Sequence, residues 1–191
     1  MTKNGKRVVS NEVKVLVVAH CVLNRSTRWW RNGRPLEKNQ GPVREILEFL
    51  AKYNIGAFQL PCPEFTAVGN PRPPATKDDY LNVTGFKEHC RRLAVKAAEQ
   101  LRTLVQKSRN PRIKIMAIVG VERSPTCGVK STPRTLNGET RFLCEKGIFL
   151  EMLEKEISKN GLKVPIIGLD MRNPKSLCRE LEKLANAASI M

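Results

Sequence analysis

No stretch of this 191-residue chain approaches the about 18 consecutive uncharged apolar residues that a membrane-crossing helix needs. The N-terminal MTKNGKRVVSNEVK is polar and basic, with no apolar segment long enough for a signal peptide, so a cytoplasmic protein is expected. There is no Walker loop, no GxGxxG behind a predicted strand and no HExxH. Nucleotide hydrolysis and zinc proteolysis are therefore without sequence support. No two cysteines form the close CxxC pair common in structural zinc sites. Nor do six cysteines in a chain this long read as a small disulfide-stapled secreted domain. Metal binding or catalysis suits them better.

Acidic residues are scarce. Asp and Glu number 18 against 34 Lys and Arg, a net charge of +16. The excess is uneven: +7 over residues 1–40, −1 over 41–80, +8 over 81–140 and +2 beyond. Such a balance fits contact with a polyanion such as nucleic acid, and equally a basic, soluble surface.

Apolar residues make up 41% of the chain, enough for a core without staples. The short β-branched run at 13–19 reads as a buried strand, and 57–60, 113–119 and 164–169 read as three more. Between them, helical spacing predicts helices over about 41–53, 85–107, 145–159 and 174–187; Pro42 and Pro174 stand near two of the starts. Residues 22–40, 61–85 (with five prolines) and 120–142 read as loops. Strands alternating with helices predict a three-layer, Rossmann-like α/β domain over residues 13–191, its mainly parallel sheet of about four strands. Residues 1–12 read as a basic, disordered tail.

A doubly wound sheet gathers the carboxyl ends of its strands along one edge. Cys21, Cys62 and Cys127 each lie just past a predicted strand, flanked by Pro, Gly, Ser or His rather than by core residues. One alone would read as a small buried hydrophobe; three at one edge read as a joint site. Three soft thiolates suit a 4Fe-4S cluster with one iron lacking a protein ligand. His20 is a conceivable fourth zinc ligand, but as the neighbour of Cys21 leaving a strand it should point the other way. Cys90 and Cys178 fall within helices and read as packing residues.

Other residues around these cysteines carry chemistry. Glu64, two residues past Cys62, is placed to move protons or to pair with Arg72. Arg72, stiffened by Pro71, Pro73 and Pro74, could pin an anion or a carbonyl. Ser124 and Thr126 offer hydroxyls to a substrate or cap their turn, Thr126 more plainly the latter. Residues 25–34, RSTRWWRNGR, interleave four arginines with Trp29 and Trp30. Arginine binds phosphate and tryptophan stacks on bases, so Arg28, Trp29 and Trp30 are candidate substrate contacts; packing over the sheet edge is the plainer alternative.

AHCVLN, QLPCPEF, NPRPPA and GVERSPTCGV, followed by GIFLEML and PIIGLD, occur here in one order. Together they resemble the 2-thiouracil desulfidase family, and within it a branch of uncharacterised desulfidase-related proteins. The resemblance implies a 4Fe-4S cluster held by Cys21, Cys62 and Cys127, with the open iron binding substrate sulfur. It also implies catalytic roles for Glu64 and Ser124. The expected enzyme is a desulfidase of a thiolated nucleobase, nucleoside or tRNA. Where many members carry a CRYDG-like element this chain has TRWWRNG, which leaves the substrate open. The rival reading is a non-catalytic RNA-binding α/β protein with zinc or no metal.

Overall fold

The computed structural model describes residues 11–34 and 40–187. Strands β1 (Glu12–Val18), β2 (Gly56–Gln59), β3 (Arg112–Val121) and β6 (Ile166–Leu169) form a parallel sheet in the order β2-β1-β3-β6. The two central strands, β1 and β3, come from β-branched runs, and their residues Leu16–Val18 and Ala117–Val119 are fully buried. The expected α/β architecture and four-stranded parallel sheet are what the structure has. Of the expected basic tail, residues 1–10 lie outside the described residues, and Glu12 opens β1.

The helices are α1 (His20–Leu23), α2 (Arg44–Tyr53), α3 (Pro63–Val68), α4 (Lys77–Leu81), α5 (Phe86–Lys107), α6 (Ile148–Lys159) and α7 (Pro174–Ala187). α2 packs on α7, and α5 on α6. The chain moves from β1 outward to β2, then returns through α5 to β3 on the other side of β1. With right-handed crossovers, the helices leaving β1 and β3 lie on opposite faces of the sheet. The topological switch point therefore falls between β1 and β3, where a crevice opens at the carboxyl ends. Register brings those ends level: Val18 stands beside Gln59 and Val119, and Val121 beside Leu169.

Three differences from expectation have local causes. Residues 120–142 are not all loop, because β4 (Thr132–Leu136) and β5 (Glu139–Leu143) form an antiparallel hairpin. Its turn is Asn137-Gly138, both at positive φ, the pair favoured in two-residue hairpins. Residues 61–85 contain α3 and α4. Helix α3 takes Pro63 in its first turn, where the missing N–H costs nothing; α4 starts with a Thr76–Asp79 capping box. Finally, α6 begins at Ile148, not 145, since Gly147 before it fastens the loop that carries Cys127.

Phe149 lies wholly inside the core. Phe149→Ala should cost about 3–5 kcal/mol, seen as a lower urea midpoint with an unchanged slope.

Candidate functional site

Each cysteine is placed by its strand. Cys21 sits on α1, which starts one residue after β1; the Ala19 N–H still bonds Val119 O at 2.9 Å, and buried Val22 anchors the turn. Cys62 follows β2 and caps α3, its Sγ accepting from the Phe65 N–H at 3.4 Å. Cys127 lies in the loop after β3. That loop is held by the first turn of α6, whose unpaired donors point at it. Gly147 N–H reaches Gly128 O (2.9 Å), Ile148 N–H reaches Pro125 O (3.0 Å) and Leu150 N–H reaches Thr126 O (3.0 Å). A Cβ on Gly147 would stand 2.4 Å from the Thr126 carbonyl carbon, so the close approach requires glycine.

The three sulfurs share one electrostatic environment. Burial pushes Cys21 up to about 11, despite the partial exposure of the residue; next in effect, Arg28 pulls it down and Glu64 pushes it up. Burial, then Glu64, push Cys62 up to about 12, with Cys21 adding to the rise. Cys127 is raised well above the ordinary thiol value by burial, then by Cys21 and Cys62. Cys90, fully buried in α5, lies close enough to be raised to about 12 by burial, Glu64 and Cys62. All six cysteines are free thiols. Among the described residues, no group of three or more His, Cys, Asp or Glu is arranged to hold a metal ion.

Glu64 is the buried carboxylate beside them, and four donors converge on it. Oε1 accepts from Thr126 Oγ1 (2.6 Å) and Ser124 Oγ (3.4 Å). Oε2 accepts from Arg72 Nη2 (3.2 Å) and Tyr80 Oη (3.4 Å). Arg72, 4% exposed, also donates to Asn70 Oδ1 (2.9 Å) and Gly69 O (3.3 Å), while its Nε is buried without a partner among the described residues. Burial works against its charge, but Glu64, Tyr80 and Cys62 outweigh that and hold the guanidinium protonated more firmly than usual. Burial and then Glu64 raise the Tyr80 phenol, so it remains a donor.

Ser124 and Thr126 divide the two roles open to their hydroxyls. Ser124 Oγ accepts the N–H groups of Cys127 (3.0 Å) and Thr126 (3.3 Å), so its oxygen holds the cysteine turn together. Thr126, for which capping was the plainer expectation, makes the shortest bond to Glu64. Tyr80 carried no expectation. Its signal, an aromatic inside a capped polar helix, identifies a buried face but not the carboxylate it meets.

The 25–34 segment lies against the same site. Arg28 acts on Cys21, and the Trp30 N–H donates to Arg72 O at 2.7 Å. Trp29 and Trp30 are half-buried, and Arg31 stands over the Trp29 ring at 5.8 Å. His20 turns its Nδ1 to Gln59 Nε2 (2.7 Å), while its Nε2 is buried without a hydrogen-bond partner among the described residues and burial lowers its basicity. Cys90 and Cys178 are in helices as expected; Cys144 is exposed between β5 and α6. Two surface clefts along α5, one at Arg91–Glu99 and one reaching Met152, touch none of the cysteines.

A doubly wound α/β sheet with thiols and a buried carboxylate at its switch point is the class of protein these features define. The chain belongs to the family described as "Putative 2-thiouracil desulfurase", which it matches over residues 13–163. It is similar to the uncharacterized protein MJ0003 of Methanocaldococcus jannaschii, at 29% identity over 154 residues, covering 81% of this chain and 84% of that one. No solved structure matches it. Among the described residues, no helix is long and apolar enough to cross a membrane.

Arg72→Met should cost about 3–5 kcal/mol by stranding the Glu64 charge, and adding Glu64→Gln should restore most of it in a double-mutant cycle read by urea denaturation. With an alkylating reagent at about pH 8, exposed Cys144 should be labelled before Cys21, Cys62 and Cys127, whose thiolates burial suppresses; peptide mass spectrometry reads the order.

Proposed function

We propose that this protein is a desulfidase that replaces the sulfur of a thiolated pyrimidine by oxygen, with Cys21, Cys62 and Cys127 holding a 4Fe-4S cluster. The observation that carries the reading is that Cys21 lies near enough to Cys62 and Cys127 to act on both thiols, with Cys62 acting on Cys127 as well, beside one buried carboxylate at the carboxyl ends of the strands. A single metal ion would need sulfurs within about 4 Å of one another, given Zn–S bonds near 2.3 Å. An all-sulfur donor set is the one that iron–sulfur clusters take. When bound, a cluster with three protein ligands supplies an iron open to a thiocarbonyl sulfur, polarising the C–S bond.

The chain's own residues would do the rest. In the net change a thiocarbonyl and one water become a carbonyl and hydrogen sulfide, with no change of oxidation state. Glu64 takes one proton from water as the water oxygen bonds the thiocarbonyl carbon and returns it to the sulfur as the C–S bond breaks; the remaining hydroxyl proton passes to the departing sulfide as the carbonyl forms, giving hydrogen sulfide. Its Oε1 already has a firm partner in Thr126, and the long Ser124 contact is the one an incoming water can replace. Ser124 keeps the Cys127 turn in place through its two N–H contacts, and Arg72 fixes the carboxylate and steadies its charge. Arg28, Trp29 and Trp30 form the wall a pyrimidine would meet.

The test is anaerobic reconstitution with iron and sulfide, followed by assay on 2-thiouracil. Wild type should bind about four irons and release sulfide. Serine at Cys21, Cys62 or Cys127 should lose the iron, whereas serine at Cys144 should not. Glu64→Gln should keep the iron and lose about 10²–10⁴ in kcat. A wild-type protein that takes up no iron would remove the proposal.

A further inference from the structure

The segment after Arg28 runs outward from the site wall. Arg28, Trp29 and Trp30 are half-buried, and the Trp30 backbone is tied to Arg72, which itself holds Glu64. Beyond them Arg31 and Arg34 are exposed and pair across a tight turn, each N–H on the other's carbonyl at 3.0 Å. Asn32 and Gly33 supply the positive φ values, +50° and +68°, that such a turn demands. The two arginines are thus mounted on a backbone-locked turn. Ser26 O accepts from Asn70 Nδ2 (3.2 Å), and Arg25 N–H bonds Gly41 O (2.9 Å), so the base of the segment is fastened on two sides.

Among the described residues, none of Arg28, Arg31 and Arg34 is in an ion pair, although acids elsewhere are extensively paired. Arg31 instead lies over the Trp29 ring, which orients its guanidinium without neutralising it. A free base such as thiouracil bears no phosphate and gives these cations nothing to bind. A strand entering with one base toward the cysteines would leave its phosphates outside, where Arg31 and Arg34 are exposed.

We propose that the Arg31–Arg34 turn grips the phosphodiester backbone of an RNA strand, so that the substrate is a thiolated pyrimidine within a polynucleotide. This rests on the desulfidase reading for the reaction, but the grip is a binding property that can be measured alone. Phosphate contacts position the strand and release counterions, so affinity must fall as salt rises. The paired tryptophans provide the stacking surface that single strands use.

The experiment measures anisotropy of a fluorescein-labelled oligoribonucleotide with one internal 2-thiouridine, over a salt series, using the full-length reconstituted protein. Wild type should bind, with log K falling linearly in log salt. R31A/R34A should weaken binding about tenfold and flatten the slope by about 1.4, two phosphate contacts at roughly 0.7 each, while R31K/R34K keeps most of both. Turnover of free 2-thiouracil should be the same in all three. RNA binding that R31A/R34A leaves unchanged at every salt overturns the grip. So does 2-thiouridine 5′-monophosphate competing as well as the oligonucleotide, since one phosphate would then suffice. Salt-dependent RNA binding through the turn with no desulfuration of any substrate supports the grip and removes the reaction. Desulfuration of 2-thiouracil without RNA binding keeps the reaction and removes the grip.

Discussion

The Glu64 carboxylate is the joint on which the site's geometry depends. Segments far apart along the chain meet there: α3 carries it, the 69–76 loop brings Arg72, α4 brings Tyr80, and the loop after β3 brings Ser124 and Thr126. A charge this buried is tolerable only when paired and hydrogen-bonded. That requirement makes the four segments interdependent, because withdrawing any donor exposes the same buried anion to an incomplete shell. Tyr80 also stacks on Phe86 at the head of α5, centroids 4.6 Å apart, so the joint is coupled to the longest helix of the core. The cysteines on both sides, Cys62 two residues before Glu64 and Cys127 one residue after Thr126, inherit their positions from it.

The loop that carries Cys127 is held more firmly than a connection of its length needs. The Val121 N–H bonds Cys127 O (2.8 Å), Gly128 N–H bonds Ser124 O (3.0 Å), and the first turn of α6 supplies three further donors. Glu122 accepts from the N–H groups of Lys130 and Ser131, closing the loop at its far end. Glycines permit this density: a Cβ at Gly120 would come within 2.5 Å of Cys127 O, and one at Gly168 within 1.7 Å of the Glu122 carboxylate. A loop so over-determined fixes a side chain as well as an element interior would, which is what a ligand or a reacting group needs.

The sheet is legible in the sequence because its signal is local. Runs such as VKVLVVA admit few alternatives, and once the strands are parallel the topology alone carries Cys21, Cys62 and Cys127 to one edge. The β4–β5 hairpin escapes such a reading, although Asn137-Gly138 announces it, because Pro133 and the charged residues around it mask the alternation of a strand. Asn32-Gly33 makes a similar tight turn and is equally silent, since no apolar alternation flanks it. Thr126 and Tyr80 are illegible for another reason. Their partner, Glu64, lies 62 and 16 residues away, and a hydroxyl's bond to it exists only after folding. Ser124 and Thr126 differ in sequence by one methyl and two positions, too little to say which oxygen faces the backbone and which the carboxylate.

Burial sets the terms on which the three thiols can bind anything. Cys21 and Cys62 hold their protons up to about 11 and 12, against an ordinary thiol value near 9. The folded state thus binds more protons than the unfolded chain above pH 9, and stability present below that value is lost as pH rises through the folded values. At neutral pH the thiols are protonated in both states and exert no such strain. A group that requires thiolates must displace those protons, so its binding releases them and strengthens as pH rises. Arg28 and Arg72 partly offset the negative charge that results, since both favour the thiolate of Cys21. The cations at the site wall therefore act on the sulfurs themselves, and any thiolate formed there meets positive charge already in place.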